Sequence, residues 1–206
     1  MKKDKGDNNF DGGGNFFNKY ESRNPVIQLL MRTFFSDFKS IINPIKDQIE
    51  SALEIGCGEG YITEFLNQME IPIIGTDASS RIIDVAKGKF PDRIFFVLSV
   101  YALDSVKKDY DLIVANEVFE HLDDPDRAIE EIKKISKKYI FISVPHEPYF
   151  RYANILRFKY IRSAGNTPGH VNRWSKKQFE KFLISHGLKI TKIKCSTLWT
   201  LVLCEK

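Results

Sequence analysis

The sequence predicts an α/β protein whose core is a doubly wound, seven-stranded, mostly parallel sheet that closes on a C-terminal antiparallel hairpin. Three features carry that expectation. Short apolar runs of buried-strand type alternate with amphipathic stretches of helical period. Glycines crowd the turn after the first run, as where backbone must approach a ligand closely. The last two apolar runs are separated by only a short turn, which can join antiparallel neighbours alone. At 206 residues the chain is long enough for one sizeable core and too short for two comfortable domains.

Residues 1–19 are charged and then glycine-rich, with no apolar segment behind the lysines to serve as a signal peptide, and read as a flexible tail. Residues 20–48 read as an N-terminal cap helix, with Asn24 as N-cap and Pro25 at the first helical position. The remaining 49–206 form the α/β domain. Its strands are expected at 51–55, 71–77, 93–99, 110–116 and 139–145, with helices at 61–69, 79–87 and 125–137 between them. Such alternation implies right-handed crossovers and helices on both faces of the sheet. "SKKQFEKFLISHG" then opens with Ser175 and Gln178 in capping-box spacing and ends at Gly187, and runs at 188–195 and 197–206 make the hairpin.

Composition excludes several classes. No uninterrupted apolar run approaches the ~20 residues of a membrane span. The formal net charge of +4 is mild, and the run "KKISKK" is read as closing a helix, where cations suit the negative end of the dipole, so charge does not argue for nucleic acid. The three cysteines, Cys57, Cys195 and Cys204, have no metal-type spacing, which favours reduced thiols in a cytoplasm and argues against zinc.

The glycine turn, "LEIGCGEGY", spaces Gly56, Gly58 and Gly60 as G-x-G-x-G. A dinucleotide fingerprint needs glycine where Tyr61 stands, and a P-loop needs a Gly-Lys-Ser/Thr ending, so both nucleotide readings lose ground. Glu54, two positions before the first glycine, suits a ligand with an ammonium group. Asp77, ending the second strand, is placed to accept from two ribose hydroxyls. The ligand these residues describe is a nucleoside joined to an amino acid.

At this point the chain resembles the class I S-adenosylmethionine-dependent methyltransferases. "LEIGCGEG" is similar to the family's glycine loop, "GTDAS" to its ribose-binding acid, "DLIVANEVFEHLDDP" to its fourth-strand motif, and "GHVNRWSKKQFEKFLISHGLKI" to the return toward the terminal hairpin. The resemblance implies a Rossmann-like fold, with 49–206 as the methyltransferase domain. It also implies that Gly56, Cys57 and Gly58, in a loop completed by Gly60, lie under the cofactor's methionine part. Asp77 holds the ribose, Ala78 touches the adenine, and Asn116 and Glu117 lie beside the sulfonium and the substrate. The family often has an aspartate facing the adenine amino group where this chain has Ser99, which shifts that contact to backbone near Val100 and Tyr101. By analogy, Tyr20 and Arg23 reach the methionine end.

A second constellation comprises Glu117, Glu120 and His121, with His170 far along the chain. Two carboxylates and two imidazoles suit magnesium, manganese or iron. The pattern is similar to that of the small-RNA 2′-O-methyltransferases, where these positions hold a divalent ion, and also resembles the ubiquinone-pathway O-methyltransferases. Metal binding, a pocket role without metal and a structural role all stay open. Glu117, Glu120 and His121 are the catalytic candidates, with His121 as base for a hydroxyl acceptor. His146 reads as structural and His186 as a helix-end histidine.

Methyl transfer is an in-line displacement in which positioning supplies up to about 7–11 kcal/mol of the barrier, so alignment matters more than elaborate acid–base machinery. The preferred activity is O-methylation of a small or lipid-like hydroxyl acceptor. The alternatives are a metal-assisted RNA 2′-O-methyltransferase and a noncatalytic methyltransferase-like partner protein, for which an intact cofactor loop would be unnecessary. Residues 146–170 read as a cover helix or as a recognition segment whose arginines and aromatics meet the acceptor.

Overall fold

The computed structural model describes residues 19–156, 165, 167 and 169–206. The tail up to residue 18, and residues 157–164, 166 and 168 of the segment after the fifth strand, lie outside the described residues. Strands β1 (Ala52–Ile55), β2 (Ile73–Asp77), β3 (Phe95–Val97), β4 (Tyr110–Asn116), β5 (Ser136–Pro145), β6 (Lys189–Ser196) and β7 (Trp199–Glu205) form one sheet in the order β3-β2-β1-β4-β5-β7-β6. Every pairing is parallel except those of β7 with β5 and β6, as the sequence predicts. The order reverses between β1 and β4, so a crevice opens there at the carboxyl edge, where open α/β sheets bind ligands.

The helices are α1 (Pro25–Ile42), α2 (Tyr61–Gln68), α3 (Ser80–Lys89), α4 (Pro125–Ile135), α5 (Tyr149–Leu156) and α6 (Lys176–Ser185). Asn24 accepts from the Val26 amide at 2.9 Å and starts α1, with Pro25 behind it. The Ser175–Gln178 capping box forms at α6. Strand periodicity divides the core. Leu112, Val114 and Phe141 face Phe34 and Phe38 of α1 and Leu66 of α2. Ile113, Ala115 and Ile140 face Ile129 and Ile132 of α4 and Phe179 and Leu183 of α6. No helix among the described residues is long and apolar enough to cross a membrane.

Two boundaries differ from expectation. The helix expected to run to residue 137 ends at Ile135, because Ser136 turns to extended backbone (φ −89°, ψ 127°) and begins β5. Lys133 and Lys134 therefore lie in the last turn of α4, whereas Lys137 pairs with Asp111 at 3.0 Å and Lys138 donates to Gln48 at 2.9 Å from the strand. The third strand shrinks to three residues, since only 95–97 pair with β2 and Ser99 already caps a 3-10 turn.

Glu54 puts a carboxyl inside the sheet. It is 1% exposed, accepts the Thr63 hydroxyl of α2, and its carbonyl accepts from Thr76 Oγ at 2.7 Å. Burial pushes its pKa up to about 8, against the Thr63 hydrogen bond and with the Asp77 charge adding to the rise. Because the folded value lies above the unfolded one, the native state binds the extra proton, and stability falls as pH rises from about 4.5 to about 8. Glu54→Gln should flatten that slope in urea midpoints measured across this range. Phe38, fully buried with its ring 4.2 Å from that of Phe141, should cost about 3–5 kcal/mol when changed to alanine, by the same denaturation. Val26→Ala, on the exposed face of α1, should stay within about 0.5 kcal/mol.

Candidate active site

β1 runs straight into the glycine loop, where Gly56, Gly58 and Gly60 all have positive φ (68°, 53° and 88°). Their surroundings differ. A Cβ on Gly56 would lie 2.5 Å from Val118 and one on Gly60 2.7 Å from Phe95, so both serve close packing. At Gly58 nothing lies within 4 Å, which leaves bare backbone facing open space. The loop is pinned to β2: the Cys57 amide donates to the Thr76 carbonyl at 2.8 Å and the Gly58 amide to Asp77 Oδ2 at 3.1 Å. Asp77 Oδ1 accepts the Ser79 amide at 2.9 Å. The Cys57 thiol is buried, which pushes its pKa up, and it packs with Ile83, Ala86 and Phe95. Ala78 is exposed beside Asp77.

Ser99 caps the 3-10 turn over Val100–Ser105, its Oγ accepting from the Tyr101 amide at 3.2 Å, which leaves its own proton to donate. Val100 is buried. The Tyr101 hydroxyl accepts the Asp124 amide at 3.0 Å, and its ring lies under Arg127.

The residues before α1 form a strap across this edge. The Tyr20 ring stacks on Tyr61 with centroids 4.4 Å apart, and its hydroxyl is hydrogen-bonded to Asn116. Burial, then the charges of Glu117 and Glu54, raise the Tyr20 pKa well above the ordinary phenol value. Glu21 accepts from the Tyr61 hydroxyl and from Lys89 at 3.0 Å, and Lys89 also binds Glu59. Arg23 is exposed just before the α1 cap.

At the end of β4, Asn116 accepts from the Ser143 hydroxyl, and Glu117 takes a left-handed conformation (φ 56°) with its amide on the Ser143 carbonyl at 3.0 Å. Glu117 Oε2 receives the Lys19 ammonium, and its Oε1 is buried without a partner among the described residues. Glu120 is 2% exposed, with one carboxyl oxygen likewise unpartnered; burial, then the Glu117 charge, raises its pKa well above the carboxylate range. His121 Nδ1 lies 2.9 Å from the Gly169 carbonyl. A carbonyl only accepts, so Nδ1 carries the proton and Nε2 of the neutral ring presents a lone pair.

The His170 ring meets His121 edge-on at 4.8 Å and stacks on Phe150. Burial, then the neighbouring His121, lowers its pKa to about 4. Donor atoms of Glu120, His121 and His170 lie within 4.8 Å of one another. Glu117 stands outside that group, engaged by Lys19. His146 is half-buried against Tyr149, and His186 ends α6 with Nδ1 on the Phe182 carbonyl at 2.8 Å and Nε2 3.1 Å from Asp126.

Sequence reasoning did not anticipate Lys19, Thr63, Ser143 or Lys89. Lys19, Ser143 and Lys89 act through partners distant in the chain, and Thr63 reaches Glu54 back across the glycine turn, with no motif to single any of them out.

A family model for the methyltransferase domain matches residues 21–193. The ubiquinone biosynthesis O-methyltransferase of Pelagibacter ubique is 32% identical over 128 residues, which are 59% of this chain and 52% of that protein. The malonyl-[acyl-carrier protein] O-methyltransferase of Priestia megaterium is 34% identical over 85 residues, 40% of this chain and 31% of that protein. The chain thus spans about half, or less, of the curated relatives it matches. Among solved structures, magnesium protoporphyrin IX methyltransferase from Synechocystis PCC 6803, with bound S-adenosylhomocysteine, superposes with a TM-score of 0.66 at 14% identity, covering 90% of this chain and 89% of that one. The intact glycine loop, the sheet order and the family match agree: this chain belongs to the methyltransferase-domain family and has the class I S-adenosylmethionine-dependent methyltransferase fold.

Proposed function

We propose that this chain methylates a hydroxyl oxygen of a small or lipid-like acceptor, with His121 as the base. The observation that carries the reading is the hydrogen bond from His121 Nδ1 to the Gly169 carbonyl, which leaves Nε2 of the neutral ring with a free lone pair. S-adenosylmethionine, when bound, supplies an electrophilic methyl group. Asp77 keeps lone pairs for the two ribose hydroxyls, because a carboxylate offers about four acceptor positions and the Gly58 and Ser79 amides use two. The open face of Gly58 receives the ligand backbone-to-backbone, and Tyr20 with Asn116 borders the methionine side. His121 Nε2 takes the acceptor's proton as the oxygen is methylated. The O-methyltransferase names of the two relatives support the choice of oxygen. A reducing, cytoplasmic setting is part of the same proposal, supported by three cysteines without metal-type spacing.

A second reading is metal-assisted transfer, with an RNA 2′-hydroxyl as the alternative acceptor. The convergence of Glu120, His121 and His170 favours it, since an orphaned buried carboxyl oxygen and two imidazoles form a fitting donor set. Two nitrogens suit manganese better than magnesium. An ion held there would lower the acceptor hydroxyl's pKa.

Calorimetric titration of S-adenosylhomocysteine should show binding that Asp77→Ala weakens at least about tenfold, the equivalent of one charge-assisted hydrogen bond. Absence of binding to the unsubstituted chain would sink the reading. Manganese that tightens binding, and loses this effect in Glu120→Gln, selects the metal-assisted form. His121→Ala should lower hydroxyl methylation by about 10²–10⁴-fold while leaving S-adenosylhomocysteine affinity intact. Equal turnover by that variant rules out His121 as base.

A further inference from the structure

The acceptor end of the site is filled by the chain's own ammonium. Lys19 Nζ is ion-paired with Glu117, and it lies 5.2 Å and 5.1 Å from the ring centroids of Tyr20 and Trp199, on a side chain only 15% exposed. Glu117 is the residue that leaves β4 at the crevice between β1 and β4, and the inference rests on the proposed reading that S-adenosylmethionine binds there with its methyl group toward this residue. We infer that Lys19 is itself a methyl acceptor, modified intramolecularly on Nζ by this domain. The inference shares only the cofactor with the hydroxyl-acceptor reading and adds a second product.

Three observations carry it. First, the strap presents Lys19 and does not leave it to wander: the adjacent Tyr20 is stacked on Tyr61 and bonded to Asn116, and Glu21 is tied to Tyr61 and Lys89. A nucleophile held this way reacts as though at very high local concentration. Second, Glu117 is the carboxylate in contact with the ammonium, so the proton that must leave before attack has an acceptor beside it, and its other oxygen is buried and unpartnered among the described residues. Third, carboxylate and two aromatic faces make the kind of enclosure that receives alkylated ammonium groups, so the product fits where the reactant sits.

The step balances without any further reactant. The ammonium yields one proton to the Glu117 carboxylate, and the freed lone pair attacks the sulfonium methyl carbon. The N–C bond forms as the C–S bond breaks, with both electrons of that bond remaining on sulfur. S-adenosylhomocysteine departs as a neutral thioether, Lys19 becomes a methylammonium, and Glu117 releases its proton to solvent.

The test is intact-mass and peptide-mapping spectrometry of the full chain incubated with S-adenosylmethionine, with S-adenosylhomocysteine binding measured on the same sample. The expected result is a gain of one CH2 unit per methyl, mapped to Lys19, at a per-molecule rate independent of protein concentration. Lys19→Arg and Asp77→Ala should abolish the gain, and Glu117→Gln should slow it about 10²-fold. Cofactor binding without mass gain at Lys19 overturns the proposal, as does a gain that persists in Lys19→Arg. A sample that binds no cofactor overturns the methyltransferase reading and this one together, and the binding measurement identifies that case.

Discussion

The Asp77 carboxylate is the joint on which the ligand end of the molecule depends. One oxygen holds the Gly58 amide at 3.1 Å and the other the Ser79 amide at 2.9 Å, so a single side chain fixes both the loop after β1 and the entry to α3. Parallel pairing of Ile55 with Thr76 is what brings loop and acid level at the same edge. The left-handed glycines complete the constraint, since Gly56 and Gly60 let Val118 and Phe95 approach while Gly58 stays uncovered. Shape and polarity at this end are thus set mainly by backbone, with little left to side-chain choice.

Beyond the end of β4, burial limits how many groups can stay charged. Glu120 is buried and Glu117 and His170 are half-buried, while His121 is exposed, so charge on the first three carries a desolvation cost. The arrangement keeps few such charges. Glu120 is driven toward its neutral form by burial and by Glu117, and His170 toward its neutral form by burial and by His121. The carboxylate that remains paired is Glu117, and its partner comes from the strap. Ordering the residues just before α1 and satisfying the β4 end are therefore one event, because neither Lys19 nor Glu117 makes another ion pair among the described residues.

The fold was legible because its determinants are local and periodic. Alternating apolar runs marked the strands, the short turn between the last two runs marked the hairpin, and Ser175 with Gln178 marked α6, all of which the structure bears out. Boundaries were less legible where two rules competed. The helix pattern read on to Lys137, but Ser136 turned the chain early, and Lys137 and Lys138 became the first positions of β5 after it. Likewise, the apolar run around Phe95 suggested a longer strand than its single neighbour β2 could pair.

The two ends of the site also differ in how far sequence could reveal them, and for the same physical reason. Gly56, Gly58 and Asp77 announce themselves because each role rests on backbone conformation or on a fixed place at the end of a strand. The acceptor end is assembled from residues 19, 117, 121, 170 and 199, brought together by packing across almost the whole chain. No short pattern encodes the meeting of Lys19 with Glu117, 98 positions apart, or the seat of Lys19 on Trp199 at the start of β7. A change anywhere among these segments can re-shape the end of β4 while leaving the Asp77 joint intact. That separation lets one shared fold carry different sites.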